Sequence, residues 1–351
     1  MDGVDFLRGL SILAVLLVHI EIRLRYSGVP LAGRVPDWAA ELLFRNGLNG
    51  VTTFFAISGF LITVTSLRRF GSLGAIDIGR FYRIRFARIA PLLLALLAVL
   101  SVLHLAGARG FTIAPEVASL RRAVAAVLTF HVNWLEAERG YLPACWDVLW
   151  SLSVEEMFYL GYPPLCVLLG RRRMALVLAL GVFVALGPVV RTTWAGNEIW
   201  REKSYLSGME AIAMGCLSAL GLEWASAWGR GRLALLQALG GLAMAVVAGW
   251  PGRDWWHASV LAAGTCAVMV ASVTRGEQGG GWAEPVRWLG RHSYEIYLTH
   301  GFVVVWGTRV LVKAQWGSPV AWVIVLLAAA AVTGAVTARY FSEPMNRALR
   351  G

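Results

Sequence analysis

Runs of about twenty mostly apolar residues recur along this chain, starting near residues 4, 47, 88, 147, 172, 205, 232, 256, 292 and 318. Twenty helical residues rise about 30 Å, the thickness of bilayer hydrocarbon. The pattern therefore predicts an all-α polytopic membrane helical bundle of about ten transmembrane helices. It occupies residues 1–351 as a single domain, with no soluble domain appended and no internal repeat. An eleventh run, "AVAAVLTFHVNWL" (residues 123–135), is shorter and lies between Arg121–Arg122 and the charged "EAERG".

Basic residues orient the bundle. Between the second and third runs stand Arg68, Arg69, Arg80, Arg83, Arg85 and Arg88 against one acid, Asp77, which marks that loop as cytoplasmic. If residues 123–135 do not cross, four more clusters fall on the same side. They are Arg171 to Arg173, Arg230 with Arg232, Arg275 with Arg287 and Arg291, and Arg339 with Arg347 and Arg350. Ten crossings with both termini cytoplasmic satisfy the positive-inside bias best, leaving residues 108–146 outside, where they dip back toward the bundle.

Composition sharpens this. Of 351 residues 58% are apolar and 15% charged, and the mean hydropathy is +0.62. A soluble domain is about 45–50% apolar and 25% charged. The expected location is the cell membrane, crossed several times, with lipid as surroundings. The formal charge of +11 sits at the ends of apolar runs, so it reads as membrane orientation and not as a nucleic-acid surface. Sixteen Trp suit interfacial belts. Cys145, Cys166, Cys216 and Cys266 are far apart and without metal spacing, so neither a disulfide framework nor a metal site is expected.

Candidate chemistry lies in polar residues that lipid would not tolerate. In "DFLRGLSILAVLLVHI" (residues 5–20), Arg8 and His19 are eleven positions apart, about 1100° around a helix, so they share a face roughly 16 Å apart along the axis. Asp5 stands at i,i+3 to Arg8 and pairs with it, or the two simply mark the interface. In "FYRIRFARIAP" (residues 81–91), Arg85 and Arg88 share a face as two guanidinium forks suited to phosphate; the same arginines also suit lipid phosphates. In "WDVLWSLSVEEMFYL" (residues 146–160), Ser151 and Glu155 stand at i,i+4 among aromatics, either as a site or as a cap and first turn. In "GRHSYEIYLTH" (residues 290–300), His300 lies on roughly the same face as His292, as a site residue or a hydrogen-bonded core histidine. His104, His131 and His257 show no partner pattern.

Together these segments resemble the acyltransferase-3 family of integral membrane O-acyltransferases. The D-x-x-R-G element matches Asp5, Arg8 and Gly9, with His19 eleven residues beyond the arginine. "FFAISGF" matches through Phe54, Phe55, Ser58, Gly59 and Phe60, and R-x-x-R-I-x-P through Arg85, Arg88, Ile89 and Pro91. W-S-L-x-x-E-x-x-F-Y matches through Trp150, Ser151, Leu152, Glu155, Phe158 and Tyr159. S-Y-x-x-Y-L-x-H matches through Ser293, Tyr294, Tyr297, Leu298 and His300. Thr299 stands where an aromatic is frequent, and "SEP" (Ser342 to Pro344) is a spacing variant of the usual ending.

The resemblance implies transfer of an acyl group, most simply acetyl, from acyl-CoA to a hydroxyl of a carbohydrate-containing acceptor such as a surface polysaccharide or its lipid-linked precursor. His19, Glu155 and Arg8 are the expected catalytic residues. Arg85, Arg88, Arg83 and Ser58 are expected on the acyl-CoA, and Ser151, Trp150, Tyr159, His300 and Asp5 on the acceptor. His19 would act as general base, with Glu155 either orienting the imidazole or binding the acceptor, or as an acylated nucleophile. A small-molecule acceptor of the macrolide kind is the alternative. A secondary transporter would show repeated halves, which this chain lacks.

Overall fold

The computed structural model describes residues 1–250, 252–277 and 280–350. Among them ten helices have sixteen or more residues: α1 (Asp2–Tyr26), α2 (Gly47–Phe70), α3 (Ile78–Leu105), α4 (Leu149–Leu169), α5 (Arg173–Thr193), α6 (Tyr205–Leu220), α7 (Arg230–Gly249), α8 (His257–Arg275), α9 (Ser293–Ala314) and α10 (Pro319–Thr337). Seven segments of the chain are long and apolar enough to cross a membrane. They contain α1, α2, α3, α5, α7, α8 and α10; the remaining three long helices are shorter or more polar. This is a helical membrane protein.

The third helix begins ten residues before the expected start. Asp77 caps it by accepting the Arg80 backbone N–H at 2.9 Å, and "FYRIRFAR" then continues without a breaker. Residues 123–135 form no single span. The helices Leu120–Leu128 and Val132–Arg139 flank Phe130, whose φ of 56° ends the first. Each rises only about 13 Å, too little to cross hydrocarbon.

Contacts between loops sort the helix ends onto two faces of the bundle. On one face Asp2 pairs with Arg287, Gly74 lies against Arg171, and Arg173 meets Glu223. On the other Asn46 bonds the Ala248 carbonyl, Arg253 reaches Asn49, and Asn133 bonds the Lys203 carbonyl. The long helices joined by these contacts therefore alternate in direction.

Helix α2 is the buried centre. A Cβ on Gly59 would sit 1.8 Å from the Ile212 carbonyl oxygen, and one on Gly215 would sit 2.0 Å from that of Ala56. Only glycine lets α2 and α6 approach so closely, which is how helices associate where lipid supplies no hydrophobic drive. Gly9 of α1 likewise lies directly against Val286 in the short helix Glu284–Arg291.

Two buried charge clusters join helices. Arg191 of α5 meets Glu210 of α6 at 2.5 Å and Ser259 of α8 at 2.9 Å. On the Asn46 face, Lys203 bonds Glu136 at 2.9 Å and also Asp147. Burial, reinforced by Asp147, pushes the Glu136 carboxyl well above its usual range. Burial works against the Lys203 charge, but the two carboxylates outweigh it and raise its pKa. All four cysteines are buried and unpaired.

Candidate active site

A cavity of about 340 Å³ follows one side of α2 through the bundle. Val51, Phe54, Phe55, Ser58, Leu61, Ile62, Thr65 and Arg69 line it, recurring every three or four residues as one helical face must. From Val51 to Arg69 this face runs about 27 Å. The mouth lies among the exposed Arg69 and Arg350, and the inner end at Ser151, Leu152 and Tyr297.

Inside the mouth, three helices set charge into the walls. Arg8 of α1, 3.9 Å from Asp5, donates to Ser293 Oγ at 2.9 Å. Arg85 of α3 lies 3.4 Å from Glu156 and 3.9 Å from Glu155, with its guanidinium 3.6 Å from the centre of the Tyr159 ring. Glu155 of α4 accepts from Tyr159 Oη at 2.6 Å and from Ser58. Arg88, one turn beyond Arg85, is exposed and makes no ion pair among the described residues.

Arg85 and Arg88 thus share the cavity but not a role. The first guanidinium is already occupied by two carboxylates and an aromatic face; the second is open. Ser151 does not reach Glu155. Its hydroxyl bonds Tyr297 Oη at 2.7 Å and the Val148 carbonyl at 3.2 Å, because α4 begins at Leu149 and offers a free carbonyl there.

His19 stands beyond the cavity's inner end. Its Nδ1 lies 2.9 Å from the Val15 carbonyl and 3.3 Å from His300 Nε2, and the two rings are 4.9 Å apart. His300 Nδ1 lies 2.6 Å from the Tyr297 carbonyl. A carbonyl only accepts, so each Nδ1 carries the proton. His300 Nε2 is then an acceptor facing His19 Nδ1–H, and His19 Nε2 keeps its lone pair.

Tyr297 joins the two regions. Its ring lines the cavity and lies 5.9 Å from the His300 ring, while its hydroxyl donates to the Val148 carbonyl at 2.9 Å. Glu155, by contrast, makes no contact with His19, so the carboxylate is not what orients the imidazole; His300 and the Val15 carbonyl are.

Of the residues singled out in the sequence, Arg8, Ser58, Arg85, Arg88, Ser151, Glu155 and Tyr159 line the cavity. Asp5 stands behind Arg8. Trp150 turns away, between Phe55 and Lys203. Arg83 lines an adjoining notch. Tyr297, Arg69 and Arg350 line the cavity without having been singled out; Tyr297 belonged to a quoted motif, and the arginines were read only as orientation signals. Among the described residues no group of three or more His, Cys, Asp or Glu side chains is close enough to hold a metal ion.

The structure is thus a helical membrane bundle with a cavity that carries guanidinium groups on its wall and a histidine pair past its inner end. The chain belongs to the family of acyltransferase-3 domains, whose family model, described as an acyltransferase domain, matches residues 1–338. It is 24% identical to the peptidoglycan O-acetyltransferase OatA of Listeria monocytogenes over 384 residues, 99% of this chain and 56% of that protein. It is 26% identical to the O-acetyltransferase OatA of Staphylococcus aureus over 170 residues, 46% of this chain and 24% of that protein. The chain thus spans between a quarter and about half of the length of these relatives. No solved structure matches it.

Proposed function

We propose that this protein is a membrane O-acyltransferase that moves an acetyl group from acetyl-CoA to a hydroxyl of a glycan acceptor. Family membership and the two O-acetyltransferase relatives support acyl transfer to oxygen. The peptidoglycan named for the Listeria relative favours a glycan as acceptor. The observation that carries the reading is the tunnel itself: it starts among arginines on the face that the positive-inside bias makes cytoplasmic, and ends one aromatic ring from the His300–His19 pair.

In this reading the nucleotide end of the donor stays at the arginine mouth and its thioester arm lies along α2. Swinging the Tyr297 ring off its bonds to Ser151 and Val148 brings the thioester to His19. The acceptor oxygen attacks the thioester carbonyl carbon as His19 Nε2 takes the hydroxyl proton. The C–S bond then breaks, and the proton passes to the departing thiolate. His300 Nε2, accepting from His19 Nδ1–H, holds the tautomer and stabilises the imidazolium, the part a carboxylate plays in other triads. Arg8, roughly 16 Å from His19 along α1, meets the donor arm where it passes along the tunnel rather than at the reacting carbonyl.

The test uses purified protein in proteoliposomes with labelled acetyl-CoA and a glycan acceptor. His19→Ala is expected to remove transfer while the protein stays folded. Activity near that of the unsubstituted protein would refute the mechanism, and absence of transfer from acetyl-CoA by the unsubstituted protein would refute the donor.

A further inference from the structure

Beside the tunnel mouth lies a second hollow of about 550 Å³, walled by Arg69, Asp77, Gly79, Arg80, Arg83, Ile84 and Arg350. Arg69, Ile84 and Arg350 line both spaces, so the notch adjoins the tunnel mouth. Three elements meet there: the end of α2, the start of α3, and the helix Glu343–Arg350, which packs against α3.

Its charge is not balanced. Among the described residues none of Arg69, Arg80, Arg83 and Arg350 makes an ion pair, and Asp77, the one acid in the wall, spends its Oδ1 on the Arg80 backbone N–H. In the tunnel wall Glu156 and Glu155 neutralise Arg85 and Asp5 neutralises Arg8, while Arg88 stays open like the arginines of the notch. Arg347, three residues before Arg350, is paired with Glu343 at 3.3 Å, which leaves Arg350 as the open charge of its helix. Four exposed guanidinium groups gathered without counter-charge repel one another, and an anion seated between them relieves that repulsion. The positive end of the 28-residue α3 adds to the same field, with Gly79 in the wall.

We propose that Arg69, Arg80, Arg83 and Arg350 form a phosphate-ester site that grips the nucleotide phosphates of the donor at the tunnel mouth, with helix Glu343–Arg350 as its closing wall. This rests on the acyl-CoA reading above and moves the phosphate grip from the occupied Arg85 to the open arginines at the start of α3, the end of α2 and the helix Glu343–Arg350. The shared chemistry is a phosphate ester, which a phospholipid headgroup also carries.

The experiment measures binding of coenzyme A, and of coenzyme A lacking its 3′-phosphate, to the full chain in nanodiscs of zwitterionic or anionic lipid. Arg80→Ala, Arg83→Ala and Arg350→Ala are each expected to weaken coenzyme A about tenfold in zwitterionic discs, with the arginine that reads the 3′-phosphate also losing discrimination between the two ligands. Arg→Lys at the same positions is expected to restore part of the loss, which separates lost charge from lost folding. Affinities within twofold of the unsubstituted protein would overturn the site. So would effects confined to anionic discs, which would make the notch a lipid-headgroup site. Unsubstituted protein that binds neither ligand overturns the donor reading as well; binding that the alanine variants leave intact overturns only the notch.

Discussion

His300 Nε2 faces His19 Nδ1 at 3.3 Å, across 281 positions of sequence, with the Val15 carbonyl as the second acceptor for the same N–H. A backbone carbonyl alone would fix the tautomer. The added imidazole lone pair matters once His19 takes a proton, because it then accepts from a charged donor. His300→Ala is therefore expected to lower kcat by about 10–100-fold with the donor KM unchanged. His300→Gln should recover part of the rate, and the acid limb of the pH–rate profile should be displaced from that of the unsubstituted protein. A loss confined to KM, or an unmoved profile, would make His300 a packing residue.

Glu155 gives a second prediction. Its carboxylate accepts from Tyr159 and Ser58 and faces Arg85 at 3.9 Å, so it is held by neutral donors and balances part of one cation. Glu155→Gln keeps the size and one acceptor oxygen but removes the charge. A charge-assisted bond exceeds a neutral one by roughly 1–1.5 kcal/mol, so transfer should fall about tenfold while thermal stability in detergent changes little. Glu156→Gln should act on the same arginine at least as strongly, since Glu156 is its nearer partner at 3.4 Å. Rates of the two variants, with a melting curve for each, decide this.

The architecture was readable because hydrocarbon imposes a length. Each of the ten runs near residues 4 to 318 became a long helix, with α3 starting early because arginines between apolar residues are as helical as leucines once Asp77 caps them. Motif order also gathered the tunnel wall, bringing Arg8, Ser58, Arg85, Glu155 and Tyr159 from four helices. What escaped was pairing at a distance. Nothing local says that His300 meets His19, or that Arg350 closes on α3. The Arg191–Glu210 pair did leave a signal: Glu210 is a lone charge inside an apolar run and Arg191 stands at the end of another, and such charges seek one another. Glu155 was assigned to His19 because spacing along one helix says nothing of which neighbouring helix it faces.

Helix approach supplies a third prediction. Gly59 stands in "FFAISGF" beside the tunnel residue Ser58, yet it points the other way, against the Ile212 carbonyl. Gly59→Ala must push α2 from α6, because the added Cβ would lie 1.8 Å from that oxygen. Overpacking of this kind costs roughly 1–3 kcal/mol. Gly161, on α4, has open space around it and takes alanine freely. The thermal midpoint should therefore drop for Gly59→Ala and hold for Gly161→Ala; equal midpoints would show that the α2–α6 contact relaxes without cost.

The buried pair between α5 and α6 can be tested by removing one partner or both. Arg191 is 3% and Glu210 1% exposed, and Ser259 Oγ donates to Glu210 at 2.6 Å while accepting from Arg191 at 2.9 Å. Arg191→Met leaves a carboxylate buried with one hydroxyl donor, a loss on the order of 3–5 kcal/mol. Arg191→Met with Glu210→Gln leaves no uncompensated charge, and the amide still bonds Ser259. The double variant should thus be more stable than Arg191→Met alone. That ordering, read from denaturant or thermal unfolding in one detergent, separates a pair kept for charge balance from one that itself holds α5, α6 and α8 together. If the double variant were the less stable, the pair would be contributing net attraction, and its place among apolar helices would be structural reinforcement and not mutual neutralisation.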